Sequence, residues 1–135
     1  MQYPAKVLLA WGEAISGNVE IRDWLMSNGY RELALTCHAL HHVESARSWL
    51  MTHQFPHLMA LVRGAEGEGK AIEWLDKFGF NFLADVALGA DNDDDAIKRL
   101  LQANQREWAG IALKIRSVKN EIEAQNNDMH RISPR

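Results

Sequence analysis

The chain has 135 residues, 47% of them hydrophobic and 24% charged, with a formal net charge of −3. That balance excludes a disordered polymer, a collagen-like fibre and a coiled-coil rod, and describes one globular domain. The single cysteine, Cys37, excludes an internal disulfide framework and a multi-cysteine zinc site, and the near-neutral charge argues against a dedicated polyanion or membrane-surface binder.

At the amino end the apolar run Val7 to Trp11 is too short for a signal peptide and is soon interrupted by Glu13. No stretch approaches the run of about 20 apolar residues that crosses a bilayer. A cytoplasmic location is the expectation. The first periodic segment carries Leu8, Trp11, Gly12 and Ile15 and predicts a leading helix over 4–16.

From there the chain repeats. IRDWL from Ile21, ARSWL from Ala46, AIEWL from Ala71 and AIKRL from Ala96 stand at a constant offset of 25 residues, with Leu25, Leu50, Leu75 and Leu100 in register. Each unit holds two short helical patterns. In the first, Ile21, Trp24 and Leu25 fall at i, i+3, i+4, and the helix stops at a shared position occupied by Gly29, Gln54, Gly79 and Asn104, where Gly or Asn suits a left-handed cap. In the second, Leu33, Thr36, Cys37 and Leu40 form the apolar stripe, repeated as Leu58, Leu61, Val62 and Ala65, with Pro56 at a helix start. Turn-rich stretches, Gly64 to Gly69 and Gly89 to Asp95, close the units, and Asp93 to Asp95 are placed to cap the next helix.

The expected architecture is therefore all-α with no β-sheet: an α-solenoid of stacked short helix pairs in one domain over 1–126. Its repeats run over about 18–42, 43–67, 68–92 and 93–117, followed by a polar terminal helix over about 118–126 and a flexible tail over 127–135.

Within Ala14 to Tyr30 the sequence AISGNVEIRDWLMSNGY resembles an ankyrin repeat, with Ala14, Gly17, Glu20, Ile21, Leu25 and Gly29 at the matching places. Two departures stand out. The T-P-L-H helix start is missing, and the ankyrin period is about 33, a difference about the size of the β-finger. The units are thus similar to ankyrin helix pairs without fingers, or to very short HEAT-like pairs. The resemblance implies a protein-binding scaffold without catalysis, whose concave face is lined by one layer of helices.

If the second helices turn Leu33, Thr36, Cys37 and Leu40 inward, the opposite face carries Arg31, Leu35, His38 and His42, then Arg63, then Asp85 and Leu88, then Arg106 and Leu113. Stacked units would set Glu13, His38, Arg63, Leu88 and Leu113 in one row at roughly 10 Å spacing. A recognition groove for a protein or peptide is the expected use, against the alternative that Leu88 and Leu113 are core. The Trp24, Trp49, Trp74 ladder reads as packing rather than base stacking, with Arg99 as a cation–π lid on the last ring.

Three further patterns carry less. His38, His41 and His42 have a metal-compatible spacing but no third ligand, so no metal or other cofactor is assigned. The Asp91 to Asp95 run has Ala96 where a calcium loop needs Gly and Gln102 where it needs Glu. Lys98, Arg99, Arg106, Lys114, Arg116 and Lys119 make the last unit basic, which leaves a nucleic-acid-associated module as the alternative to a protein scaffold. No catalytic motif is present, and a small enzyme on the solenoid face is the third reading. The truncated leading unit leaves an apolar end that a homodimer contact through a terminal repeat would cover.

Overall fold

The computed structural model describes the backbone of residues 2–132 and the side chains of residues 2–127. Among the described residues there are nine helices and no strand: α1 (Ala5–Ile15), α2 (Val19–Ser27), α3 (Arg31–Leu40), α4 (Glu44–Thr52), α5 (Pro56–Ala65), α6 (Gly69–Lys77), α7 (Asn81–Ala90), α8 (Asp94–Gln102) and α9 (Arg106–Ile132). The bounds of α2, α4, α6 and α8 recur at 25 residues, and so do the starts of α3, α5, α7 and α9.

Two columns of left-handed residues punctuate the chain. Gly29, Gln54, Gly79 and Asn104 end the even helices with φ of 92°, 69°, 84° and 60°. Gly17, His42, Gly67 and Asn92 follow the odd helices with φ of 112°, 63°, 95° and 74°. The second column shifts the expected turns: Gly64 and Gly89 lie inside α5 and α7, and the reversal comes three residues later. Asp93 caps α8 as expected, its carboxylate accepting from the Asp95 and Ala96 amides at 3.0 and 3.2 Å.

The odd helices form the inner layer, each packed against the next, and α1 packs against α9, so the ends of the array meet. The even helices lie outside, each bridging two odd ones: α2 touches α1 and α3, α4 touches α3 and α5, α6 touches α5 and α7, and α8 touches α7 and α9. Trp11 is the keystone of the closure. Fully buried, it donates its indole N–H to the Leu33 carbonyl at 2.9 Å and meets Trp108 edge-on at 5.8 Å. Around it Leu33, Leu58, Leu83, Leu61, Ile111 and Ile115 fill the centre of the ring. Each even helix adds one fully buried leucine, Leu25, Leu50, Leu75 or Leu100, worth roughly 1.5–3 kcal/mol of burial apiece.

The last unit differs from expectation. α9 runs unbroken over Arg106–Ile132, so the second helix of that unit and the terminal helix expected over 118–126 are one element. The expected tail overlaps the end of this helix, and 133–135 lie outside the described residues. At the position of Gly17, His42, Gly67 and Asn92 stands Ser117, within KIRSVK, which offers no turn chemistry, while Ile115, Val118 and Ile122 continue the apolar stripe.

Candidate functional site

The residues expected to line a recognition groove, His42 apart, sit on the odd helices, but the closure of the array turns them away from one another. Arg31, Leu35 and His38 sit on α3, Arg63 on α5 in a furrow between α4 and α6, Asp85 and Leu88 on α7, and Arg106 on α9. His42 stands in a left-handed turn rather than on a helix face. Over α5 the furrow is an open pocket of about 280 Å³ whose walls include Met51, Pro56, Ala60, Arg63 and Trp74. Over α7 it is bridged, because Arg99 grips Asp85 with Nε at 3.1 Å and Nη2 at 2.8 Å. Arg99 is therefore an ion-pair partner of Asp85, whose hydrogen bond raises the guanidinium further above its already high range, and not a lid over an indole.

The tryptophan ladder packs with neighbouring aromatics. Trp49 stacks on His53 at 4.2 Å and on Phe55 at 5.8 Å, and Trp74 stacks on Phe80 at 6.1 Å, while His57 lies flat on Phe80 at 4.9 Å. Burial pushes the His57 imidazole below its ordinary range. His38 moves the same way, first through burial and then through the Arg22 and His41 charges. Cys37 faces the core, and burial pushes its thiol up to about 12. Among the described residues no three His, Cys, Asp or Glu side chains come together in a way that could hold a metal.

The basic last unit is largely paired. Lys119 meets Asp91 at 2.7 Å, and Arg116 donates to the Gly89 carbonyl at 2.9 Å. The Arg116 Nη2 stands 2.9 Å from Asp94 Oδ1, off the hydrogen-bonding direction. Lys98 sits 4.0 Å from Asp95. Arg106 and Lys114 remain.

Two features with consequences were not anticipated from the residues. The first is Arg47, only 8% exposed, which donates twice to the Ala39 carbonyl at 3.1 and 2.9 Å and twice to Glu66 at 3.3 and 2.7 Å. It ties α4 to α3 and to the turn after α5. Beside it, Leu40, Ala65, Ile115, Val118 and Ile122 wall a pocket of about 260 Å³ beneath α9, but its rim charges Glu66 and Lys119 are already paired with Arg47 and Asp91.

The second is a gap. Among the described residues, each neighbouring pair of odd helices is covered by an even helix except α9 and α1, which meet without one. The uncovered seam is a furrow of about 470 Å³, with Leu8, Leu9 and Gly12 of α1 facing Gly110, Ile111 and Lys114 of α9. Leu9, in its wall, is 64% exposed. Register explains the apolar floor. Ile97 of α8 packs against the positions of Gly89 and Ala112; one unit further round the ring these become Lys114 and Gly12.

Comparison with protein-family models, with curated proteins and with solved structures gives no match for this chain. The ankyrin resemblance thus rests on Ala14 to Tyr30 alone, and the seam between α1 and α9 has to be read from its own geometry. No helix among the described residues is long and apolar enough to cross a membrane.

The signal that would have found this seam is in the sequence. Position pairs eight residues apart co-vary between units: Ala14 with Arg22, Ala39 with Arg47, Gly64 with Ile72 and Gly89 with Ile97. Contacts explain the last three. Arg47 arches over Ala39, whereas Ile72 and Ile97 press onto glycines where a Cβ would stand 2.7 and 2.5 Å from their Cδ1 atoms. Lys114 is the fifth member of the first column; eight residues on stands Ile122, which belongs to α9 itself and not to an outer helix.

Proposed function

We propose that this chain is a non-catalytic protein-interaction module, a small array of 25-residue helix pairs similar to fingerless ankyrin pairs, whose binding surface is the seam between α1 and α9. One observation carries the reading: the only inner-helix pair lacking an outer helix among the described residues has an apolar floor, with the large aliphatic side chain of Leu9 left in solvent beside it. Leu8 and Leu9 bring to that seam the apolar area that anchors an interface, and Glu13, Arg106, Glu107 and Lys114 supply a polar rim. Arg31, Leu35 and His38 lie on α3 between α2 and α4, and Arg63 on α5 between α4 and α6, which makes them secondary contacts.

Site-directed photo-crosslinking tests this. A photoreactive residue at position 9 should yield a discrete covalent adduct with another protein, and the same residue at Val43, exposed on the far side of the array, should not. The adduct should vanish when Gly110, which leaves open space in the furrow, is changed to Trp. Equal labelling from both positions, or none from position 9, refutes the seam as the binding surface.

A further inference from the structure

Resting on the reading of the seam as a binding surface, we infer that its occupant is a short amphipathic helix of another protein, with a small residue and a leucine four apart and an acidic residue directly after the small one. The four filled seams define the shape of the missing piece. α2, α4, α6 and α8 are each nine residues long, and in α4, α6 and α8 a buried Ala46, Ala71 or Ala96 and, four residues on, a buried Leu50, Leu75 or Leu100 face the inner pair. The small residue permits close approach and the leucine fills the groove between ridges. The seam between α1 and α9 presents the same columns, so the same outline fits it.

The chemistry differs at one place. The residue after the alanine is Arg47, Ile72 or Ile97 in the filled seams, and it lies against Ala39, Gly64 or Gly89. In the open seam Lys114 holds that position, its Cγ 3.7 Å and Cε 4.0 Å from where a Cβ on Gly12 would be. An isoleucine inserted there meets the lysine stem in the space that the glycines leave empty elsewhere. An arginine, as in α2 and α4, meets a like charge. A glutamate reaches the ammonium group, which among the described residues has no ion-pair partner even though Glu13 and Glu107 line the same furrow. Lys114 thereby refuses all four outer helices of a second copy, which carry Arg22, Arg47, Ile72 and Ile97 at this position, and selects a foreign helix.

The test uses the full chain and two labelled nine-residue peptides, stapled between the positions of Lys98 and Gln102, both exposed in α8. One has the α8 sequence DDAIKRLLQ, and the other has Ile97→Glu. Fluorescence polarisation should show the glutamate peptide binding the wild-type chain at least about tenfold more tightly than the isoleucine peptide. Lys114→Gly should reverse that order. Lys114→Glu, which asks nothing new of the helix backbone, should bind an Ile97→Lys peptide and lose the glutamate one. Equal affinity of both peptides, or a preference unmoved by Lys114→Gly and Lys114→Glu, overturns the inferred chemistry. If the isoleucine peptide binds Lys114→Gly while the glutamate peptide ignores the wild type, the seam still docks helices and only the acidic partner falls. Failure of every peptide on every chain takes the seam with it. A concentration-dependent dimer that Leu9→Asp dissolves assigns the seam to a second copy and also overturns the inference.

Discussion

Three in-helix glycines sort themselves by what a methyl group would meet, and Gly→Ala at each converts that sorting into free energy. The backbone gain is common to all three, about 1 kcal/mol for replacing glycine inside a helix. At Gly110 nothing lies within 4 Å of the new Cβ, so the gain stands and Gly110→Ala should stabilise the fold by about 0.5–1 kcal/mol. At Gly89 the Cβ meets Ile97 Cδ1 at 2.5 Å and Cγ1 at 3.2 Å, with the Ala112 Cβ at 3.3 Å. The nearest atom is the end of a flexible side chain, so an overpacking cost of about 1–2 kcal/mol leaves Gly89→Ala neutral to slightly destabilised. At Gly64 the Cβ is caught between Ile72 Cδ1 at 2.7 Å and the Ala87 Cβ at 2.9 Å, and the second of these is fixed to a helix backbone. The cost there is about 2–3 kcal/mol and the net loss about 1–2 kcal/mol. Urea melts followed by helical circular dichroism resolve the order Gly110→Ala above wild type above Gly64→Ala. Adding Ile97→Val to Gly89→Ala removes the offending Cδ1 and should recover part of the loss. A Gly64→Ala variant as stable as the wild type, or a Gly110→Ala variant as damaged as Gly64→Ala, would refute the claim that outer helices are seated by the size of this column.

Arg47→Ala should cost about 2–3 kcal/mol, because it strips the Ala39 carbonyl and Glu66 of a nearly buried donor, and Glu66→Gln in the same background should add little; chemical denaturation of the single and double variants checks both. His57 is held neutral by burial, so the unfolded chain takes up a proton first as pH falls. Stability contributed by the neutral ring is fully present above the ordinary histidine range and is lost as pH falls through it toward the lower folded value; between pH 7.5 and 5.5 the wild-type Tm should drop more than that of His57→Phe. The Cys37 thiol, buried and raised to about 12, should resist a disulfide reagent at neutral pH and react at an ordinary rate once the chain is unfolded in urea.

Much of the helical layout is legible from Leu25, Leu50, Leu75 and Leu100 and from the residues that end each helix, because local periodicity and left-handed caps are properties of a few neighbouring residues. The meeting of α1 with α9 is not. It depends on a small rotation from each unit to the next, summed over the whole array, and no single residue declares that angle. The same gap explains the groove residues: His38, Arg63, Leu88 and Leu113 form one row only if the units stack without turning. α9 failed for the opposite reason, since Ile111, Ile115, Val118 and Ile122 make a readable continuous stripe that the 25-residue register overrode. Likewise the pairing of Ala39 with Arg47 and of Gly64 with Ile72 is visible in the letters, but only contact geometry says why it matters.

The docking of α1 on α9 also shapes how the chain comes together. The other pairings of consecutive inner helices join segments about one repeat apart, which cost little loop entropy and can form in any order. The α1–α9 contact links residues near opposite ends of the sequence, Trp11 with Trp108, and can form only after the intervening helices have laid down the curve between them. An open array frays from two ends, losing a unit at a time. Here each terminal helix is the neighbour of the other, so neither can peel off without opening the indole pair. Slow-exchanging amides should therefore include those of α1 and the first turns of α9, in a molecule whose most sequence-distant contact is also its latch.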